Sequence, residues 1–238
     1  MVSATDLKVK IFADGADKPG MLAMYKNPVV KGFTTNPTLM RKAGVSDYES
    51  FAHEIVEAIP DRSISFEVFA DDIATMETQA RKITKWGKNV SVKIPITNTK
   101  GESTVDLCRH LTHDGIAINV TAIFTMAQVD AVIAAVKDAA PTFVSVFAGR
   151  IADSGIDPVP LMKKIMEKLK SAPNTELIWA SPREVLNILQ ADEVGCHVIT
   201  VTNDLINKLS LLGKDQAEYS LETVKMFYND GLAAGYKL

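Results

Sequence analysis

Short apolar runs with a two-residue period alternate with stretches whose apolar residues fall at helical spacing, and the alternation repeats eight times along the chain. This constrains the fold more than any other feature. The runs predict strands over 8–13, 29–34, 63–69, 90–94, 116–121, 143–148, 176–180 and 197–202. Between them the spacing predicts helices over 18–25, 37–41, 47–58, 104–114 and 125–138. A further helix carries Ile73, Met76, Ala80 and Ile83, with Gly87 as its stop, and later ones start at Asp157-Pro158, Ser181-Pro182 and Asn203-Asp204. A last helix is expected over about 217–229. Eight βα units predict an α/β fold, a single (β/α)8 TIM barrel with an extra C-terminal helix, and 238 residues suit one such domain. An open doubly wound sheet is the alternative, but Gly15 stands alone where its glycine-rich phosphate turn would follow strand one.

Strand four, Asn89-Val90-Ser91-Val92-Lys93-Ile94-Pro95, sets Val90, Val92 and Ile94 in one phase and Ser91 and Lys93 in the other. Taken alone, that pattern favours a solvated lysine on a half-exposed strand. Its neighbours reverse the preference. Ile64, Phe66 and Val68 take the helix-facing phase of strand three, so Ser65 and Glu67 point inward. Ile116, Ile118 and Val120 do the same in strand five, so Asn119 and Thr121 point inward. Three adjacent strands thus aim Glu67, Lys93, Asn119 and Thr121 into one volume. Reactive groups in such barrels sit at the C-terminal strand ends, and Asp14, Thr34, Asn36, Arg150, Ser181 and Arg183 also fall at or just past expected ends.

A lysine in a dry barrel mouth suits carbonyl chemistry. Burial favours the neutral amine, which attacks a carbonyl to form a Schiff base, an electron sink once protonated. Glu67 is then a candidate proton shuttle through a water held by Thr121, and Asp14 the second base for C–C cleavage. Asn36 and Asn119 are neutral groups for substrate hydroxyls. The alternative for Glu67 is a structural ion pair with Lys93. Arg150, Ser181 and Arg183 suggest an anionic substrate end, with Ser181-Pro182-Arg183 supplying a helix start and a guanidinium. Their alternative is a pair of surface salt bridges.

Other signals exclude functions. A net charge of −3 and a pI near 5.8 give no electrostatic case for nucleic acid or an anionic membrane. No apolar run reaches the roughly 18 residues a membrane span needs, and the start Met-Val-Ser-Ala-Thr-Asp-Leu lacks a signal-peptide core, so the expected compartment is cytoplasmic. Cys108 and Cys196 match no metal or redox spacing and read as reduced, buried and small. His53, His110, His113 and His197 form no metal cluster, so no metal is expected. Trp86 and Trp179 read as core, and Lys163, Lys164, Lys168 and Lys170 as a solvated face.

Gly32-Phe33-Thr34-Thr35-Asn36-Pro37, Val92-Lys93-Ile94-Pro95, Asn119-Val120-Thr121 and Gly149-Arg150 together resemble the transaldolase family, particularly its short members, which include the fructose-6-phosphate aldolases. The resemblance runs over nearly the whole chain. It implies Lys93 as the Schiff-base lysine, Asp14 as the base in C–C cleavage, and Glu67 with Thr121 on the catalytic water. It implies Thr34, Asn36, Asn119 and Phe147 as substrate contacts, Arg150, Ser181 and Arg183 around a phosphate, and no cofactor. Transaldolases carry glutamate where the aldolases carry glutamine, here Glu67, and phenylalanine where the aldolases carry tyrosine, here Phe147. Both positions imply transfer of a dihydroxyacetone unit from a ketose phosphate, fructose 6-phosphate or sedoheptulose 7-phosphate, to an aldose phosphate.

The alternatives are an aldolase releasing free dihydroxyacetone, a transaldolase for another anionic ketose such as sulfofructose, and a barrel that only binds sugar phosphate. Asp14-Gly15-Ala16-Asp17 departs from the Asp-Thr or Asp-Ser of many short members, and 151–159 is individual to this chain. The apolar last helix and tail, Leu232 to Leu238, are expected to pack on the barrel or on a neighbouring subunit, and short members are often rings, so a homo-oligomer is expected.

Overall fold

The structure, a computed structural model, describes residues 4–237. Strands β1 (Lys10–Asp14), β2 (Val30–Thr34), β3 (Ser63–Glu67), β4 (Val90–Pro95), β5 (Ile118–Ile123), β6 (Thr142–Val146), β7 (Thr175–Trp179) and β8 (Val198–Thr202) pair in parallel in chain order, and β8 pairs back to β1. The expected (β/α)8 barrel is therefore closed. Helices α1 (Lys18–Tyr25), α2 (Pro37–Lys42), α3 (Tyr48–Ala58), α4 (Ile73–Ile83), α5 (Val105–His113), α6 (Met126–Val136), α7 (Ala148–Asp153), α8 (Val159–Leu169), α9 (Val185–Glu193), α10 (Asn203–Asn207) and α11 (Gln216–Ala233) fill the connections and the C-terminus. Asp17, Asn36, Asp47, Asp72 and Thr125 each cap a helix by accepting a backbone N–H, and so fix where a loop ends.

Strand phase divides the core in two. Ile64, Phe66, Val92, Ile94, Ile118 and Val120 face outward and are buried with Ile55, Met76, Leu111 and Val132 from the helices. Inside the barrel, Phe12, Ile178 and Val198 form a separate apolar plug with Phe143 against it. Gly32 makes the plug possible, since a Cβ there would lie 2.6 Å from the Phe12 ring. Each such burial contributes about 1.5–3 kcal/mol, so the plug is a firm floor beneath the strands' C-terminal ends.

Several expectations shift. Strand five begins two residues later, because the Ile116 N–H is still tied back to the Leu111 carbonyl at the end of α5; it runs on to Ile123, where the ladder to β6 skips past the left-handed Ala122 (φ 57°). Strand six ends early, and the segment carrying Gly149-Arg150 is the unexpected helix α7. Ser181-Pro182 does not start a helix. Ser181 is left-handed (φ 59°), and α9 begins four residues later behind a Glu184–Asn187 capping box. Gly87 follows a 3-10 turn (Thr84–Trp86) in extended backbone, and a Cβ there would lie 2.4 Å from Val56 Cγ1, so close packing rather than a left-handed stop explains it. Finally, α11 buries none of its side chains, which removes packing on its own barrel as the explanation of its apolar residues. Leu238 lies outside the described residues.

Among the described residues, no helix is long and apolar enough to cross a membrane. Trp86, Trp179, Cys108 and Cys196 are buried as expected, and Lys163, Lys164, Lys168 and Lys170 are exposed.

Candidate active site

Ladder register sets the floor of the site. Glu67 pairs with Lys93 and Lys93 with Asn119, while Asp14 pairs with Thr34 across the β1–β2 seam. Because these residues share the inward phase, they converge on one volume above the plug. The cavity there measures about 510 Å³. All the expected site residues line it: Asp14, Thr34, Asn36, Glu67, Lys93, Asn119, Thr121, Phe147, Arg150, Ser181 and Arg183.

Lys93 is 7% exposed. Its Nζ donates to the Thr35 carbonyl at 2.6 Å and lies 3.4 Å from Glu67 Oε2. Glu67 keeps its other oxygen, Oε1, for the Thr121 hydroxyl at 3.2 Å. Amine, carboxylate and hydroxyl thus stand side by side on three adjacent strands. The ion pair weighed as the structural alternative for Glu67 is present in this geometry, and it opens onto the cavity.

Asp14 stands across the mouth. Its carboxyl is pushed up from the ordinary range by burial, and the nearby Glu67 adds to that; the Lys93 charge and a 2.6 Å hydrogen bond from Thr34 pull it back. The Thr34 hydroxyl has one proton to give, and it also touches the Thr200 hydroxyl. With Asp14 ionised, Thr34 donates to Asp14 and Thr200 donates to Thr34. A second buried relay crosses the floor: Ser145 donates to Asn119 Oδ1 at 2.7 Å, and Asn119 Nδ2 donates to Ser65 Oγ at 3.2 Å. Asn119 is held from both ends. Asn36 Oδ1 caps α2 through the Leu39 N–H at 2.9 Å, which commits its oxygen to the fold.

The rim is built differently. Arg150 stacks over the Phe147 ring, 5.4 Å from its centroid, and Phe147 packs on Phe124. Arg183 grips Asp153 through Nε at 2.9 and 3.1 Å and through a further contact from Nη2, and it holds that carboxyl below the usual carboxylate range. The surface salt bridge weighed for the arginines is therefore real for Arg183. Gly149 lets α7 and the loop after β7 meet, since a Cβ would fall 1.5 Å from the Ser181 carbonyl oxygen. Ala122 and Ser181, the left-handed non-glycine residues among those described, both line the cavity. Such backbone is held only where its surroundings insist on it.

Sequence reasoning missed Ser145, Thr200 and Tyr48. The first two sit in the inward phase of β6 and β8, and the phase test applied to the central strands would have found them. Tyr48 opens α3 and touches the backbone of Glu67. Nothing periodic marks it.

Comparison with known proteins agrees with the residues. Residues 11–235 match the family described as transaldolase/fructose-6-phosphate aldolase. A probable transaldolase of Dehalococcoides mccartyi is 38% identical over 194 residues, covering 81% of this chain and 86% of that protein. One of Streptococcus pyogenes is 36% identical over 203 residues, covering 85% of this chain and 90% of that protein. The solved orotidine 5'-monophosphate decarboxylase of Metallosphaera sedula shares the fold, with a TM-score of 0.54 at 14% identity over 88% of this chain and 98% of that one. On the family match and these identities, the chain belongs to the transaldolase/fructose-6-phosphate aldolase family of enzymes.

Proposed function

We propose that this enzyme is a Schiff-base transaldolase that moves a dihydroxyacetone unit from a ketose phosphate to an aldose phosphate. One observation carries the reading: a buried lysine amine 3.4 Å from a carboxylate that also holds a threonine hydroxyl, at the floor of a cavity shared with Asp14. Lys93 passes its ammonium proton to Glu67, 3.4 Å away, and the freed amine adds to the ketone carbon, forming a C–N bond while the carbonyl electron pair moves to oxygen. A water between Glu67 and Thr121 carries that proton to the oxygen, and the Glu67 carboxylate takes one back from the nitrogen, which makes the carbinolamine. The same route protonates the departing hydroxyl, and water leaves behind a protonated imine. Asp14 then takes the proton of the hydroxyl two carbons from the imine carbon. The bond from that hydroxyl-bearing carbon to the carbon beside the imine breaks, its electrons flow into the imine to give an enamine, the hydroxyl-bearing carbon becomes an aldehyde, and the aldose phosphate departs. An acceptor aldose phosphate reverses these steps. Arg150 and Arg183 hold the phosphate, and Ser181 adds a hydroxyl.

Glu67 and Phe147 favour transfer over release of free dihydroxyacetone. Borohydride reduction in the presence of fructose 6-phosphate is expected to fix a covalent adduct on Lys93, read by peptide mass spectrometry. Absence of that adduct overturns the mechanism. Turnover beyond one aldose phosphate per active site is expected to require an aldose phosphate acceptor, and rapid, continuous release of free dihydroxyacetone without one would make the enzyme an aldolase.

The working unit under this reading is a cytoplasmic homo-oligomer. Leu221, Val224, Tyr228 and Leu232 form a stripe along α11, and they are exposed together with Phe227. A second copy of the chain is the occupant proposed for it. Light scattering is expected to give a mass above the 25.9 kDa of one chain, and Val224→Glu to reduce it. A monomer at micromolar concentration would exclude this assembly.

A further inference from the structure

The β2–β3 seam closes unevenly. Thr34 pairs with Ser65, and the Thr35 amide and hydroxyl both donate to the Ser65 carbonyl, at 3.1 and 2.9 Å. Beyond that point the chain turns through Asn36 into Pro37, which has no N–H to give, and enters α2. On the other side of β3, pairing continues: Phe66 matches Val92, and the Val68 N–H donates to the Lys93 carbonyl at 3.0 Å. Alternate residues of a strand direct their backbone groups to opposite neighbours, so Glu67, like Ser65, faces the side that β2 has left. A buried N–H and C=O without partners would loosen the residue that carries the carboxylate.

A single oxygen fills the gap. The Tyr48 hydroxyl accepts the Glu67 N–H at 2.8 Å and donates to the Glu67 carbonyl at 2.9 Å. It does for Glu67 what one residue of a neighbouring strand would do. The hydroxyl is itself fixed. Tyr48 opens α3 directly after the capping residue Asp47. Its ring stands edge-on to Phe66, Phe69 and Trp86 with centroids 5.5 to 6.2 Å apart. Burial pushes its phenol up, so it stays protonated and able to donate. It lies behind the strand, away from the cavity lining, and touches no reacting group.

We infer that Tyr48 is a positioning residue for the reaction: its hydroxyl stands in for the missing β2 partner and holds Glu67 at the height where its carboxylate meets both the Lys93 amine and the Thr121 hydroxyl. The inference rests on the proposed role of Glu67 in moving protons to and from the Lys93 adduct. Proton transfer is sensitive to sub-ångström placement, whereas ground-state binding of the sugar through the rim is not.

Tyr48→Phe keeps the ring and its packing and removes only the oxygen. The variant is expected to lose kcat by about tenfold or more, with donor KM changed less than about twofold. The rate of borohydride-trappable adduct formation on Lys93 should fall by the same factor as kcat. A cycle with Glu67→Gln separates positioning from general support of the fold. If Tyr48 works through the Glu67 carboxylate, Tyr48→Phe costs little further activity in the Glu67→Gln background. Equal losses in both backgrounds would overturn the inference, as would wild-type kcat and trapping rate in Tyr48→Phe. A wild-type enzyme that traps no adduct on Lys93 would bring down the Schiff-base reading itself, and the inference with it. An adduct in wild type with an unaffected Tyr48→Phe removes the Tyr48 role alone.

Discussion

The floor and the rim of this cavity are built by different physics. On the floor, Asp14, Glu67, Lys93, Asn119 and Thr121 sit on regular parallel strands, and ladder register brings them together. Lys93, Asn119 and Thr121 are nearly inaccessible, and their contacts are satisfied before any substrate arrives. On the rim, Arg150, Ser181 and Arg183 sit on a short helix and a loop, held by a left-handed serine, a glycine contact and an exposed ion pair. The floor is preorganised in the sense that lowers a chemical barrier. The rim must exchange an existing partner for the substrate, so its contribution belongs to binding. Floor variants should therefore change kcat, and rim variants KM.

The largest expected effect tests the floor. Asp14→Asn should lower kcat for transfer by about 10²–10⁴-fold, because the base proposed for C–C cleavage is gone. Adduct formation on Lys93 should survive, since that step runs through Glu67. Loss of both together would merge two roles that the proposal keeps apart. The pH profile carries a sign. Burial raises the Asp14 carboxyl in the folded protein, so the acidic limb of kcat/KM should lie above the ordinary carboxylate range and vanish in Asp14→Asn. A raised folded pKa gives stability that is present below the unfolded pKa and lost as pH rises through the folded one. At neutral pH the ionised Asp14 therefore opposes folding. Asp14→Asn should match or exceed wild-type Tm near pH 7, and the difference should shrink on acidification.

Next comes the rim. Arg150→Ala removes the charge-assisted contact proposed to the substrate anion, a kind that contributes about 1.5–3 kcal/mol. The expected result is a KM for the ketose phosphate raised about tenfold to a hundredfold with kcat within a factor of about two. A kcat loss equal to the KM change would show that the rim also orients the reacting carbons, and the division between the two regions would fail.

The same division explains what the sequence could reveal. The floor was legible because a two-residue period and eight repeats determine which way Glu67 and Lys93 point. The plug of Phe12, Ile178 and Val198 was implied by that phase as well. The rim was legible only as residue types near strand ends. Ser181-Pro182 has the look of a cap and first turn, yet Ser181 is left-handed and α9 starts at Val185. The competing demand was tertiary: the Ser181 carbonyl packs against Gly149 in the first turn of α7. No local pattern encodes such an approach. Tyr48 escaped for a related reason, since its partner is a backbone group nineteen residues away rather than a periodic neighbour.

Gly149→Ala probes that approach directly. Its methyl group would start 1.5 Å from a backbone oxygen, which cannot rotate away. Helix α7 and the Ser181 loop must separate, at a cost of about 1–3 kcal/mol by analogy with overpacked cores. Thermal denaturation should show the loss. The displaced Ser181 and Arg183 should raise KM several-fold, less than removal of Arg150 does, with kcat again little changed. A wild-type Tm would mean that α7 and the Ser181 loop adjust freely, and the rim would then be softer than its strained backbone suggests.

The smallest effect should come from Asp153→Asn, and its direction is the informative part. Arg183 is bound to Asp153 before substrate arrives, with both side chains about half exposed (48% and 50%). A substrate phosphate must therefore draw the guanidinium away from a carboxylate or share it. If exchange is the rule, releasing Arg183 lowers KM slightly, because the competing anion is gone. If instead Asp153 holds Arg183 in the orientation that receives the phosphate, the same substitution raises KM. The rim's open, solvent-screened setting favours exchange, since an exposed pair contributes little to holding geometry. The expected outcome is a modest fall in KM with unchanged kcat and Tm, measured with the ketose phosphate at low ionic strength, where the competition is least screened. A rise in KM would mark Asp153 as part of the site and move Arg183 from the exchangeable rim to the preorganised floor.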